Sequence, residues 1–199
     1  MEIYLIRHTE TILPKGICYG QTDVSLREPF LDQFSKIIQH VSPSNALIYS
    51  SPLKRCALLA DAFSMYKGQY SQVITDDRLM EMNFGNWEMK QWDEINQQEL
   101  NKWMADFVNE KPSGGECFRE LDQRVKSFFD EKILSGTEEN NTIVIITHAG
   151  VIRSILCQVL EIPLQNAFRI QIDYGCMTKI RIDKKSCFQN IGYINQVVK

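Results

Sequence analysis

One apolar stretch, Thr142-Ile143-Val144-Ile145-Ile146-Thr147, constrains the fold of this chain more than any other feature. Nearly all of its residues are apolar, so no alternation divides it into a buried face and a solvated face. Strands of this kind are typical of parallel sheets that are covered by helices on both sides. The stretch therefore predicts a buried strand in an α/β sheet.

Further strands and helices are predicted on both sides of this stretch. The strands cover residues 2–6, 46–49, 73–74, 168–173 and 177–182, the last two around a turn at Tyr174-Gly175. The helices cover residues 30–41, the stretch that follows Ser51-Pro52, and residues 88–107, 116–133 and 151–160. Because strands alternate with helices, we expect a single-domain three-layer α/β/α sandwich over residues 1–199, with a mostly parallel sheet. A helical or lid insertion is expected around residues 84–116.

Charge and composition argue against several classes of partner. The chain has 22 basic and 25 acidic residues among 199, a formal charge of −3. Nucleic-acid-binding domains are normally basic, so no nucleic-acid partner is expected. No apolar run reaches the length of about 18 residues that a membrane helix needs. No signal-peptide pattern precedes the first strand, so we expect a cytoplasmic protein. The six cysteines are scattered without a C-x-x-C pair, which predicts free thiols. A homodimer stays an open alternative.

Basic and imidazole side chains follow three of the predicted strands. Arg7-His8 ends the first strand, and His148 ends the apolar stretch described above. Arg55 lies in the first turn of the helix that follows the second strand. Ligands of open α/β sheets bind outside the carboxyl ends of the strands, so these four side chains meet in one crevice if the strands are parallel neighbours. Two guanidinium groups beside helix N-termini predict a site for a phosphate-like anion.

The two histidines add chemistry to this anion site. An imidazole nitrogen can attack phosphorus and carry a phosphoryl group covalently. A second imidazolium opposite it can stabilise charge on the equatorial oxygens. Glu81 lies in a mostly apolar stretch after the strand over residues 73–74, and it is the natural candidate for the acid that protonates the leaving oxygen. Two histidines and one carboxylate also match a metal site, but paired arginines beside them would repel a cation, so no metal is expected.

Five short motifs occur in the order in which a known family carries them. They are Arg7-His8-Thr9-Glu10-Thr11, Ser50-Ser51-Pro52-Leu53-Lys54-Arg55-Cys56, Leu79-x-Glu81 with Gly85-x-Trp87-Glu88, Gly114-Gly115-Glu116 and Thr147-His148-Ala149-Gly150-Val151. By these motifs the chain resembles the histidine phosphatase superfamily, the phosphoglycerate-mutase-like phosphatases. The resemblance extends from residue 3 to about residue 153.

This resemblance implies a role for each matching position. His8 would be the phosphohistidine nucleophile. Arg7, Arg55 and His148 would bind phosphate and stabilise the transition state. Glu81 would act first as general acid and then as general base for water. No metal or organic cofactor is implied. The positions that match the substrate pocket are Thr11, Gly20, Gln21 and Ala149.

Within the superfamily, two segments resemble the α-ribazole phosphatases of cobalamin nucleotide-loop assembly. They are residues 16–23, Gly-Ile-Cys-Tyr-Gly-Gln-Thr-Asp, and residues 83–89, Asn-Phe-Gly-Asn-Trp-Glu-Met, together with Trp92-Asp93-Glu94-Ile95. The implied substrate is a small phosphorylated metabolite, α-ribazole 5′-phosphate. A broad-specificity sugar-phosphate phosphatase, a phosphoglycerate-mutase-type phosphotransferase and a non-catalytic phospholigand-binding module are the alternatives. The short chain favours net hydrolysis, because the mutases of this family are longer.

A few positions depart from the family pattern or have two interpretations. Thr9 stands where glycine is more usual after Arg-His. Cys117 stands where serine is more usual after Gly-Gly-Glu, which leaves any hydroxyl contact there open. We expect Trp87, Trp92 and Trp103 to pack in the core rather than to stack on a substrate base. The Gly-Gly pair at residues 114–115 is expected to be a flexible loop.

Overall fold

The strands of the computed structural model form one mixed sheet. The structure describes residues 1–41, 46–66, 72–135, 142–183, 185–186 and 188–198. The strands are β1 (Glu2–Arg7), β2 (Leu47–Ser50), β3 (Val73–Thr75), β4 (Thr142–Thr147), β5 (Cys176–Ile182) and β6 (Gln189–Val197). Across the described sheet their order is β3-β2-β4-β1-β5-β6. The first four strands are parallel to one another, whereas β5 runs antiparallel to both β1 and β6.

Helices connect the strands and cover the sheet. They are α1 (Phe30–Val41), α2 (Lys54–Ser64), α3 (Gln97–Ala105), α4 (Phe118–Phe128) and α5 (Ala149–Val159). A π-helical turn at Phe129–Leu134 continues α4. Short 3₁₀ turns lie at Asp77–Leu79, Gly85–Trp87, Trp92–Glu94 and Leu164–Arg169. The parallel strands are thus joined by helical crossovers, as a parallel sheet requires.

The side chains of β1 divide the core into two layers. Tyr4 and Ile6 pack in one apolar cluster with residues of α1 and α2. Ile3 and Leu5 point to the other face and pack in a second cluster with residues of α4 and α5. All four side chains are at most 7% exposed. Because helices cover both faces, the predicted three-layer α/β/α sandwich with a mostly parallel sheet is confirmed.

The C-terminal part of the sheet differs from the prediction. The predicted strand over residues 168–173 is wrong, because Leu164–Arg169 forms a 3₁₀ helix and the next strand begins at Cys176. β5 pairs instead with β6, a strand that the sequence pattern does not predict. Four of its nine residues favour strands, but Gly192 and two asparagines interrupt them, and glycine and asparagine are depleted in strands. It forms at the sheet edge, where every second side chain stays exposed along most of its length.

The helical prediction over residues 88–107 is also too long. Only α3 is α-helical there, and the Asn96 side chain accepts the backbone N–H groups of Gln98 and Glu99 at its start. The predicted helix over residues 116–133 begins instead at Phe118, with Cys117 as its N-cap residue. A lid function for residues 84–116 stays a prediction.

No helix in the described ranges combines the length and apolar character needed to cross a membrane. The five cysteines that the structure describes are free thiols, and all of them are buried. The sixth, Cys187, lies outside the described residues.

Candidate active site

His8 and His148 lie side by side at the carboxyl ends of β1 and β4. The parallel register pairs Arg7 with Thr147, so each histidine is the next residue on its strand. The backbone N–H of His8 continues the ladder by donating to the Thr147 carbonyl oxygen at 3.1 Å. The two imidazole centroids are 5.2 Å apart, and both side chains are at most 1% exposed. The sheet therefore brings together two residues from opposite ends of the chain.

The His8 imidazole is held neutral with Nε2 unprotonated. Its Nδ1 lies 2.8 Å from the carbonyl oxygen of Thr9. A carbonyl oxygen only accepts, so Nδ1 carries the hydrogen and the lone pair is on Nε2. Burial, followed by the positive charges of Arg55 and Arg7, lowers the pKa of His8 well below its ordinary value. A neutral imidazole with a free nitrogen lone pair is the form that acts as a nucleophile.

The His148 imidazole is neutral in the opposite tautomer. Arg55 Nε donates to its Nδ1 at 3.3 Å, so the hydrogen is on Nε2, which donates to Ser51 Oγ at 2.9 Å. Burial, followed by the charges of Arg55 and the neighbouring His8, lowers the pKa of His148 well below its ordinary value. The lone pair of His8 is thus on Nε2, whereas the lone pair of His148 is on Nδ1 and accepts a hydrogen bond from Arg55.

These buried imidazoles make the folded protein sensitive to acid. Because folding lowers both histidine pKa values, the unfolded chain binds protons first, and stability falls as the pH drops below the ordinary value of 6.5. Each histidine is expected to contribute up to about 1.4 kcal/mol per pH unit to this loss. Urea unfolding from about pH 7.5 to about pH 5.5 should show a shallower loss for His148→Gln than for the parent. Exposed His40→Gln should follow the parent, and equal slopes in all three proteins would contradict the buried neutral imidazole.

Two arginines flank the histidines without an acidic partner. Arg55 is fully buried and donates from Nη1 to Thr22 O at 2.8 Å and from Nη2 to Gly20 O at 2.6 Å. Arg7 donates from Nη1 to Ile172 O at 2.7 Å, and its buried Nε has no hydrogen-bond partner among the described residues. Neither guanidinium forms an ion pair with a carboxylate in the described ranges. Since buried charges are normally paired, this arrangement is suited to bind an anion such as phosphate.

Tyr19 and Tyr174 orient both arginines and cover His8. Their hydroxyl groups hydrogen-bond to each other at 2.9 Å. The guanidinium carbon of Arg7 lies 3.8 Å from the centroid of the Tyr174 ring, and that of Arg55 lies 5.1 Å from the centroid of the Tyr19 ring. Both tyrosine rings also pack against the imidazole of His8. A guanidinium that lies over an aromatic face keeps its N–H edge available for hydrogen bonds.

Glu81 lies at the N-terminus of α5. Its carboxylate accepts the backbone N–H of Gly150 at 3.1 and 3.3 Å and that of Met82 at 2.9 Å. The N–H groups of a helix N-terminus hydrogen-bond to the oxygens of a carboxyl group and so fix its position. A Cβ atom on Gly150 would overlap the Glu81 carboxylate, so a glycine is required at this position. Glu81, the predicted general acid, therefore lies beside Gly150 of the motif Thr147-His148-Ala149-Gly150-Val151.

Arg124 on α4 holds the backbone that carries Glu81. It donates to the carbonyl oxygens of Met80 at 2.7 Å and of Glu81 at 3.0 Å, and it forms an ion pair with Glu116 at 2.7 Å. Gln21 Nε2 supports the same carbonyl oxygen of Glu81 at 2.9 Å. The pattern analysis missed Arg124, because an arginine on an amphipathic helix is typical of a solvated surface.

Glu88 fixes the loop that holds Arg55. Its carboxylate accepts the backbone N–H groups of Gln21 at 2.9 Å and of Thr22 at 2.7 Å, and also the Thr22 hydroxyl. Gly20 adopts a φ of +38°, and a Cβ atom there would overlap the same carboxylate. Because the carbonyl oxygens of Gly20 and Thr22 accept from Arg55, Glu88 positions this arginine through the loop.

The segment around Gly115 is packed rather than a free loop. The carboxylate of Glu116 accepts the Asn83 N–H at 2.9 Å, and the Glu116 N–H donates to the Asn83 carbonyl oxygen at 2.9 Å. A Cβ atom on Gly115 would overlap that carbonyl oxygen, which explains the glycine. The expectation of a flexible loop is therefore corrected to a close backbone contact. Cys117 caps α4 and does not line the cavity described next.

A cavity of about 200 Å³ adjoins His8 through Tyr19 and Tyr174, which form part of its wall. Four of the predicted site residues line it: Arg7, Gly20, Glu81 and Ala149. The structure does not bring Thr11 to the cavity, because this residue is 2% exposed and forms a β-bridge with Leu26. Gln21 also lies outside the lining, since its side chain supports the backbone of Glu81.

Four aromatic residues contribute to the remaining wall of the cavity. It includes Phe84, Trp92, Phe118 and Phe168, together with Arg153 from α5. Trp87 and Trp103 are at most 9% exposed and pack in the core as expected. Trp92 packs against the same core, but it also lines the cavity, which differs from the prediction that it packs only in the core.

The described part of the chain holds no group of three or more histidine, cysteine or acidic side chains that could bind a metal ion. The side chains around His8 and His148 are positively charged, so they favour anions over cations.

The parallel part of the sheet thus brings two neutral imidazoles together with two arginines that have no acidic partner in the described ranges, and the carboxyl group of Glu81 lies at the start of α5. This combination is suited to an enzyme that acts on phosphate esters. The chain belongs to the histidine phosphatase superfamily, since the family model for branch 1 matches residues 3–191.

Known phosphatases are similar to the chain over most or all of its length. It is 27% identical to the adenosylcobalamin/alpha-ribazole phosphatase of Escherichia coli K12, across 93% of this chain and 92% of that protein. It is 26% identical to phosphoserine phosphatase 1 of Hydrogenobacter thermophilus, across 93% of this chain and 88% of that protein. The alpha-ribazole phosphatase structure from Shigella flexneri matches with a TM-score of 0.88 and 26% identity, covering 100% of this chain and 98% of that one. The chain is a histidine phosphatase, an enzyme that hydrolyses phosphate monoesters.

Proposed function

We propose that His8 is the nucleophile of a two-step phosphomonoesterase reaction. The neutral imidazole of His8, with its Nε2 lone pair beside two guanidinium groups, is the observation that carries this proposal. In the first step Nε2 attacks phosphorus and the bond from phosphorus to the leaving oxygen breaks. The electron pair of that bond stays on the leaving oxygen, which takes a proton from Glu81. Arg7, Arg55 and His148 bind the equatorial oxygens, where charge accumulates in the transition state.

In the second step the phosphoryl group is transferred to water. The Glu81 carboxylate takes a proton from a water molecule, and the water oxygen attacks the phosphorus atom on His8. The bond from phosphorus to nitrogen breaks, inorganic phosphate forms, and Glu81 is protonated again for the next cycle. A phosphate dianion beside His148 favours its protonated form, because an opposite charge raises the pKa of an imidazole. Protonation at Nδ1 ends the hydrogen bond that this atom accepts from Arg55 Nε, and the new N–H group donates to a phosphate oxygen instead.

A covalent intermediate on His8 can be trapped directly. We expect rapid mixing with a ³²P-labelled phosphate ester, followed by an alkaline quench within one turnover, to yield a labelled protein. The label should survive in base and be lost in acid, because it is a phosphoramidate. Mass spectrometry after alkaline digestion should place it on the peptide that contains His8. A label on another residue, or none at times shorter than one turnover, would refute the two-step reaction through His8.

We propose α-ribazole 5′-phosphate as the substrate. The proposal is supported by the likeness to two alpha-ribazole phosphatases along nearly the whole chain and by the aromatic wall of the cavity. Because a phosphoserine phosphatase is about as similar in sequence, O-phosphoserine is the comparison substrate. The ratio of kcat/KM for the two esters distinguishes these substrates. Accumulation of inorganic phosphate, rather than of an isomeric ester, excludes mutase activity.

We also propose a cytoplasmic homodimer. The five described cysteines are all free, which a reducing compartment preserves. The exposed edge strand β6 has no charged residue over Gln189–Val197, and uncharged edges are open to pairing with another strand. Sedimentation of the whole chain measures the oligomeric state, and a monomer at micromolar concentration would contradict the dimer.

A further inference from the structure

Arg153 is a cation in the cavity wall that the phosphate chemistry described above does not use. Its Nε donates to Ile170 O at 2.9 Å, and its guanidinium carbon lies 5.1 Å from the centroid of the Phe168 ring. In the ranges that the structure describes, Arg153 forms no ion pair, and its two Nη groups make no hydrogen bond. The N–H edge of this guanidinium is therefore available to a ligand.

One backbone segment holds Arg153 next to Arg7. Arg7 donates to Ile172 O at 2.7 Å, while Arg153 donates to Ile170 O. Two residues of chain span at most about 7 Å, so the two guanidinium groups are anchored close together. Both arginines line the same cavity. A substrate whose phosphate contacts Arg7 thus places the group attached to that phosphate within reach of Arg153.

The wall around Arg153 favours a flat aromatic ring over a second anion. Phe84, Trp92, Phe118 and Phe168 line the cavity, and Phe168 is 46% exposed although it is large and apolar. The faces of aromatic rings carry negative partial charge, which disfavours a carboxylate beside them. The same faces, and the plane of a guanidinium, stack well on a heteroaromatic ring.

We propose that Arg153 and these four aromatic residues form a subsite for a nitrogen-containing aromatic ring on the leaving group of the substrate. The N–H edge of Arg153 donates to a ring nitrogen, and the side chains of Phe84, Trp92 and Phe168 contact the ring. Phe118 is fully buried and packs behind Phe168. Arg153 takes no part in breaking the bond to phosphorus, so it determines specificity rather than chemistry. The inference rests on the proposed phosphomonoesterase function and names the chemical class of its leaving group.

Two substrates that differ by the ring test this subsite. α-Ribazole 5′-phosphate carries the ring, whereas ribose 5-phosphate has the same phosphate-bearing carbon without it. We expect the parent enzyme to favour the first by at least about 30-fold in kcat/KM, since stacking and hydrogen bonding to one base commonly contribute such factors. Arg153→Met and Phe168→Leu should each lower this ratio by about tenfold or more. Arg169→Met, at an exposed arginine outside the cavity, should retain the ratio of the parent.

The possible results separate the subsite from the proposed function. An unchanged ratio in both Arg153→Met and Phe168→Leu would overturn the subsite, and the exposed position of Phe168 keeps this test open if Arg153→Met folds poorly. A larger loss on O-phosphoserine than on α-ribazole 5′-phosphate in Arg153→Met would identify a carboxylate as the partner and also overturn it. A parent enzyme that hydrolyses both sugar esters equally well refutes the subsite alone. One that hydrolyses neither of them nor O-phosphoserine refutes the phosphomonoesterase function.

Discussion

Substitution of His8 by asparagine is expected to reduce turnover of phosphate monoesters by at least about 10⁴-fold and to abolish the covalent label, because the attacking nitrogen is lost. The asparagine amide keeps an N–H group that can donate to the Thr9 carbonyl oxygen, as Nδ1 of His8 does at 2.8 Å. The local fold should therefore survive. Release of inorganic phosphate at saturating substrate measures the loss in kcat.

His148→Asn is the matched control, since the second histidine is equally buried. We expect it to slow turnover while the label on His8 still forms, because His148 stabilises charge and does not attack phosphorus. Turnover of His8→Asn near the parent rate would show that the nucleophile is assigned to the wrong residue. So would loss of the label in His148→Asn alone.

Substitution of Arg55 by methionine is expected to lower kcat/KM by about 10³-fold, because the transition state loses a buried guanidinium. Arg55 also donates to Gly20 O, to Thr22 O and to His148 Nδ1. The substitution therefore loosens the loop at residues 20–22 and removes a hydrogen bond to the second histidine. Binding of inorganic phosphate should weaken together with catalysis, which an inhibition constant measures.

The neighbouring Lys54→Met is the control for Arg55→Met. It removes the same charge one position earlier in α2, where the side chain is exposed and makes no contact with the site. We expect Lys54→Met to retain the parent kcat/KM and the parent inhibition by phosphate. Equal effects of the two substitutions would mean that only the general charge of this helix matters, and the specific role of Arg55 would be wrong.

The strands that are buried on both faces were predictable, and the solvated edge was not. Residues 142–147 form β4 with the predicted boundaries, because an apolar stretch of β-branched residues is stable only where both faces are covered. β6 is stabilised by pairing with β5 and by contacts such as those of Ile191, rather than by its own composition. Its glycine and asparagine residues interrupt the apolar positions, so the sequence alone does not predict this strand.

The site residues that sit at strand ends were predictable for the same reason. His8 and His148 follow strands with clear patterns, so their proximity follows from the topology of a parallel sheet. Arg124 and Arg153 hydrogen-bond to backbone carbonyl groups of loops that are remote in sequence, at Glu81 and Ile170 respectively. Such contacts depend on where an irregular chain passes, which no periodic pattern in the sequence specifies.

The register between β1 and β4 also sets the distance between His8 and His148, the two histidines that act on phosphate in the proposed reaction. Neighbouring strands are about 4.8 Å apart in any sheet, and the imidazole centroids of His8 and His148 are 5.2 Å apart. The spacing of the two backbones comes from interstrand hydrogen bonds, whereas contacts with Thr9 O and Ser51 Oγ fix the orientation of the two rings. A shift of one residue in register would turn every side chain of β1 to the opposite face, so the spacing cannot drift by small steps. Substitutions among the aromatic residues of the cavity wall can therefore change which ester is bound while the spacing of His8 and His148 stays constant.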